Sequence, residues 1–116
     1  MSKMLVAVLI GTVIAISSTS INAENTEHCI SLEKVRGNSC GSPKSMDVRV
    51  TNKCPHPVYV KMCIQRTNGT WDCKSDSHLD ARKTNTGFFT CHSTGKYEWS
   101  SCTGGYSECG FNKKVR

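Results

Sequence analysis

Three things are missing from this 116-residue chain, and each closes off a class of protein. Its longest apolar run, Leu5 to Ile16, holds twelve positions including Gly11 and Thr12, short of the roughly 20 that a membrane-crossing helix needs. There is no second apolar segment, so nothing later in the sequence reads as a transmembrane anchor. No two cysteines stand at C-x2-C spacing; the nearest pair, Cys102 and Cys109, has six residues between, which argues against a metal site. No heptad, internal repeat or long amphipathic helix appears, which removes helical bundles and solenoids.

What the chain does have begins with an export signal. Lys3 lies in a short basic start, the Leu5 to Ile16 run follows, and a small polar stretch ends Ile21-Asn22-Ala23. That order is a secretory signal peptide, with cleavage expected after Ala23. Processing would leave 93 residues with fourteen basic and nine acidic side chains. The expected location is therefore secreted or periplasmic.

Large apolar residues are sparse in those 93 positions, so the core must be thin. Small exported domains of this kind commonly rely on disulfides, each worth on the order of 2–4 kcal/mol. Cys29, Cys40, Cys54, Cys63, Cys73, Cys91, Cys102 and Cys109 are even in number and all follow the signal segment. Four bridges would leave no free thiol.

The organisation expected is a signal peptide at 1–23, a disulfide-tethered segment at 24–45, a β-rich domain at 46–111 and a basic tail at 112–116. In the tethered segment Ile30, Leu32 and Val35 can form a short strand or turn. Met46, Val48 and Val50 alternate with Asp47, Arg49 and Thr51, the period of a half-buried strand. A corner follows at Asn52 to Pro57, where Pro55 and Pro57 prevent regular pairing. The clearest strand comes next: Val58, Val60, Met62 and Ile64 face one way, and Tyr59, Lys61, Cys63 and Gln65 the other. If the first set is core, Tyr59 and Lys61 form an exposed pair.

Arg66 to Trp71 is a hairpin signal, and the cysteines choose its register. A two-residue Asn68-Gly69 turn would put Ile64 opposite Cys73. A three-residue loop of Thr67, Asn68 and Gly69, with Gly69 left-handed, puts Cys63 opposite Cys73 and predicts a Cys63–Cys73 bridge. The pairing of the other six is left open. Asn68-Gly69-Thr70 is also a glycosylation sequon, meaningful in a eukaryotic secretory pathway and otherwise only a turn.

Lys74 to Thr86 is polar, with Leu79 its one sizeable apolar anchor, and reads as a loop. Further strands are expected at Gly87 to His92 and at Tyr97 to Cys102, with a turn around Thr94-Gly95 between them. Tyr106 to Phe111 then returns briefly to the sheet. The fold class is all-β, a small disulfide-stapled antiparallel sandwich or open barrel.

The run Val50-Thr51-Asn52-Lys53-Cys54-Pro55-His56-Pro57-Val58-Tyr59-Val60, with Cys63, Gly69-Thr70-Trp71-Asp72-Cys73 and Phe89-Thr90-Cys91-His92, resembles small cystine-rich exported proteins of Gram-negative bacteria with no assigned function. The likeness covers about half of the processed chain and implies a shared β scaffold. The first eleven of these residues also resemble the opening strand pair of thaumatin-like proteins, where an asparagine-cysteine corner joins two strands. This chain is far shorter, has fewer cysteines and lacks that family's acidic cleft motif, so the likeness implies a corner and not a glucan cleft.

For function, Tyr59, Lys61, Trp71, Tyr97 and Trp99 are the candidate binding residues, since flat rings near loops can stack on sugars or on a protein partner. Packing competes with that role: Trp71 lies beside Cys73 and Trp99 three residues before Cys102, where an indole can cover a disulfide. The expected function is an exported non-catalytic binding module for a protein or an envelope glycan. The first alternative is a cationic effector acting on anionic surfaces, motivated by the basic balance and by Lys113, Lys114 and Arg116. The second is a small hydrolase such as a ribonuclease. Lys83-Thr84-Asn85-Thr86 echoes a stretch of pancreatic-type ribonucleases, but among His28, His56, His78 and His92 none lies near the C-terminus. No catalytic residue, cofactor, metal or specific nucleic-acid partner is assigned.

Overall fold

The computed structural model describes residues 24–111 and Val115, so the signal segment and the basic tail's Lys113, Lys114 and Arg116 lie outside the described residues. Six strands follow a short 3-10 turn at Glu27–Cys29: β1 Ile30–Arg36, β2 Met46–Asn52, β3 Val58–Arg66, β4 Trp71–Leu79, β5 Thr84–Thr90 and β6 Ser93–Cys102. A four-residue helix, α1 Tyr106–Cys109, closes the series. The strands form two antiparallel three-stranded sheets, ordered β1-β2-β5 and β4-β3-β6. The fold is all-β, a small antiparallel sandwich stapled by four disulfides.

Period two builds the core. Met46, Val48 and Val50 of β2 with Phe88 of β5 meet Val58, Val60, Met62 and Ile64 of β3 and Leu79 of β4 in one buried cluster. Ile30, Leu32, Tyr97 and Trp99 pack around it from the flanking strands. At roughly 25 cal/mol per Å² of apolar surface removed from water, this cluster is the main non-covalent source of stability.

The two long seams of the sandwich are closed differently. Between β4 and β5 the contacts are polar: Thr90 Oγ1 donates to Asp72 Oδ2 at 2.9 Å, Asn85 Nδ2 to Asp76 Oδ2 at 2.8 Å and Lys74 Nζ to the Phe89 carbonyl at 3.0 Å. Between β1 and β6, the Lys34 ammonium lies 5.2 Å from the Tyr97 ring centroid and Arg36 Nη2 donates to the Ser93 carbonyl at 3.1 Å. These side chains occupy the edges where an open sheet would offer unpaired backbone to another chain.

Asn52 holds the β2–β3 corner. Its side chain is fully buried, yet Nδ2 donates to the His56 and Leu79 carbonyls, both at 2.9 Å, and Oδ1 accepts from the Cys54 N–H at 2.8 Å. Its backbone accepts from the Arg82 N–H and donates to the Lys83 carbonyl. Every polar atom of a buried amide is thus paired, the condition for burying it without a large penalty.

The bridges are Cys29–Cys54, Cys40–Cys91, Cys63–Cys73 and Cys102–Cys109, with no free cysteine. Cys63 stands directly opposite Cys73 in the β3–β4 register. Gly69 is left-handed at φ 91°, and the Arg66 N–H donates to the Thr70 carbonyl across a three-residue loop. Such a set of bridges belongs to a protein that matures in an oxidising environment. Among the described residues no helix is long and apolar enough to cross a membrane.

Four local expectations are corrected. Lys74 to Thr86 is not one loop: β4 runs on to Leu79 and β5 begins at Thr84, leaving Asp80 to Lys83 as the link. β4 lacks an apolar stripe because its inward positions make the polar seam with β5. Thr94-Gly95 lies inside β6 and is not a turn; Gly95, at φ 94°, sits where the β3–β6 register shifts between Ile64 and Arg66. Tyr106 to Phe111 does not rejoin the sheet but folds as α1 and the turn after it. Finally, Tyr59 and Lys61 are not an exposed pair. They do lie on the outer side of β3, but α1, Phe111 and Val115 cover that side, leaving Lys61 only 7% exposed.

Candidate functional site

The outer face of the β4-β3-β6 sheet carries one stripe of β3 side chains: Tyr59, Lys61, Cys63 and Gln65. At the corner end the stripe is covered. Tyr59, Tyr106 and Phe111 meet edge to face in all three pairings, with centroids 5.2 to 6.2 Å apart. The Lys61 ammonium donates to Tyr106 Oη at 3.0 Å and to the Val115 carbonyl at 3.4 Å. The Cys102–Cys109 bridge anchors α1 over this cluster. Two of the candidate binding residues, Tyr59 and Lys61, are therefore part of the packing.

At the hairpin end the same face is open. The β3–β4 register sets Gln65 opposite Trp71, and the β3–β6 register sets Cys63 opposite Glu98. Gln65, Trp71, Gly95, Lys96, Tyr97 and Glu98 line an open hollow of about 650 Å³. Trp71 and Tyr97 are half-buried there. Gln65 is oriented by its neighbours: Thr94 Oγ1 donates to Oε1 at 2.9 Å, and Nε2 donates to the Gly69 carbonyl at 3.4 Å. The floor is rigid because the Cys63–Cys73 bridge lies two pairs further along the ladder, on the same face.

A second hollow, of about 330 Å³, lies on the other side of the same hairpin, lined by Arg66 to Asn68, Asp72 and Thr90 to His92. Its charges are engaged with one another. Arg66 Nη2 lies 3.6 Å from Asp72 Oδ1, and Arg66 Nη1 donates to Thr70 Oγ1 at 3.1 Å.

The hollow thus brings Trp71 beside Tyr97 at its rim and separates Trp71 from Tyr59 and Lys61, while Tyr97, opposite Ile64, and Trp99, opposite Met62, both pack on the main core. The lining residues that sequence reasoning missed are Gln65, Lys96 and Glu98. Gln65 was legible as the outward neighbour of the hairpin, but Lys96 and Glu98 depend on how β6 registers against β3. Among the histidines, His78 pairs with Asp80 at 2.9 Å and His92 lies 3.4 Å from Ser42 Oγ. Neither contact joins a hydroxyl, an imidazole and a carboxylate in line, as nucleophilic catalysis requires. Among the described residues no group of three histidine, cysteine, aspartate or glutamate side chains could hold a metal ion.

No protein-family model, curated protein or solved structure matches this chain.

Proposed function

We propose that the protein is an exported, non-catalytic recognition module that binds its ligand in the hollow around Trp71. The observation that carries this reading is a half-buried indole beside an oriented amide, an ammonium and a carboxylate on a disulfide-stapled hairpin. An aromatic face stacks on the C–H face of a sugar or on an apolar side chain, while Gln65, Lys96 and Glu98 supply hydrogen bonds that fix orientation. The saccharide of an envelope glycan uses both kinds of contact at once. A rigid scaffold adds affinity because little order has to be created on binding.

Titrating the oxidised protein with a panel of envelope oligosaccharides while following tryptophan fluorescence tests this. Saturable binding at physiological salt is expected for wild type and is lost in Trp71→Ala. A protein partner captured equally by both forms, or no saccharide binding at all, would overturn the glycan-binding hollow.

A further inference from the structure

We infer that the end of the sandwich opposite the Trp71 hollow is a second binding surface, for a polysaccharide bearing repeated sulfate or carboxylate groups. Most cations elsewhere are already engaged. Lys34 and Lys74 lie over the Tyr97 and Phe89 rings, Lys61 is buried, and Arg49 and Arg66 pair with Glu33 and Asp72. Lys53, Arg82 and Lys83 are all exposed, and among the described residues none is in an ion pair; Lys44 and Lys96 share that state but lie towards the hairpin end.

The backbone holds these three together. The Lys53 N–H donates to the Cys29 carbonyl at 2.9 Å, the Arg82 N–H to the Asn52 carbonyl at 2.7 Å, and the Asn52 N–H to the Lys83 carbonyl at 2.9 Å. One layer of hydrogen bonds around the buried Asn52, tied by the Cys29–Cys54 bridge, therefore presents three positive charges at one corner. Two carboxylates of that end have neighbours of their own: Asp80 Oδ1 lies 2.9 Å from His78 Nε2, and Glu27 Oε2 accepts from Ser100 Oγ. His28 and His56 flank the corner and bring no negative charge.

Arg82 adds a separate argument. Its φ is 69°, a left-handed backbone that disfavours most side chains and suits glycine or asparagine. Cys40 also has a positive φ, of 60°, but its identity is required by the bridge to Cys91. Among the described residues the Arg82 guanidinium makes a single long hydrogen bond, Nη1 donating to the Lys53 carbonyl at 3.5 Å, which leaves its other donors for a ligand. Backbone held in a disfavoured region marks such places.

The occupant follows from what the corner lacks. The one exposed large apolar side chain among the described residues is Phe89, on β5 towards the other end, so no wedge is offered to a lipid surface. Tyr59 and Tyr106, at the corner end of β3, are committed to Phe111 and offer no platform for stacked bases. A soluble acidic glycan needs only the charges.

The test is a titration of the oxidised protein with heparin, at low and physiological salt, against two triple variants of equal net charge. Lys53→Gln/Arg82→Asn/Lys83→Gln strips the corner; Lys34→Gln/Lys44→Gln/Arg49→Gln removes the same charge elsewhere. Intact bridges by non-reducing mass spectrometry and unchanged near-ultraviolet circular dichroism show that both are folded. The corner variant is expected to lose about tenfold or more in affinity and the control less than about threefold. Arg82→Asn alone should keep or raise the melting temperature while weakening binding, which a merely structural role would not do. Equal losses in the two triple variants, no heparin binding by wild type, or tighter binding to anionic phospholipid vesicles or to a single-stranded oligonucleotide than to heparin would each overturn the assignment.

Discussion

The two halves of the outer face of β3 start from the same alternation and end in opposite states. At the corner half, Tyr59 and Lys61 lie under a lid of Tyr106, Phe111 and Val115. At the hairpin half, Gln65 opens onto the hollow with Trp71. Strand period decides which side of a sheet a residue takes, and nothing more. Whether that side is solvent, core or binding site depends on what the chain later lays over it. Here a four-residue helix held by the Cys102–Cys109 bridge reaches the first half and stops short of the second.

The strongest way to break the contrast is to lift the lid. Phe111 is fully buried, and Phe111→Ala should cost about 3–5 kcal/mol, the usual range for emptying a buried ring site. Urea denaturation followed by circular dichroism would read the loss, and binding in the hollow should persist below the transition. Lys61→Ala tests the polar part of the same lid. It strands the Tyr106 hydroxyl and the Val115 carbonyl and should cost about 1–3 kcal/mol, seen as a lower midpoint in the same denaturation.

On the open side the effects on stability are smaller. Gly69→Ala puts a Cβ into open space but forces it into a left-handed backbone, so about 1 kcal/mol should be lost from conformation alone. Hydrogen exchange at the Arg66 and Thr70 amides should quicken, while the Cys63–Cys73 bridge still forms. Trp71→Ala sharpens the comparison most, because a half-buried ring on a stapled hairpin should cost less than about 1 kcal/mol in thermal melts while ligand binding disappears. A large loss of stability in Trp71→Ala would mean that the indole is packing and that the two halves do not differ in kind.

Much of the architecture was legible. Met46 to Thr51 and Val58 to Gln65 alternate because each has one face on a dry core and one off it. The Cys63–Cys73 register followed from loop length and from the need of Gly69 for a left-handed backbone. β4 was not legible as a strand: Asp72, Lys74 and Asp76 point towards β5 and bond it through polar atoms, so the apolar period that announces a strand is absent. Of the candidate site, Trp71 and Tyr97 could be named as aromatics near turns. The sequence offered no way to separate Trp71 from Tyr59 and Trp99, which carry the same chemistry.

Taken alone, the sequence determined the class of this protein: its all-β periodicity, its hairpin register, its even cysteine count and the oxidising environment that such a count requires. These are local or compositional quantities, readable because a strand's period and a turn's φ depend on neighbours a few residues away. Only the tertiary structure decided that Lys61 is buried, that Lys96 and Glu98 join Trp71, and that Lys53, Arg82 and Lys83 share a corner. Those outcomes depend on contacts between segments up to dozens of residues apart, set by sheet order and by where the last few residues fold back.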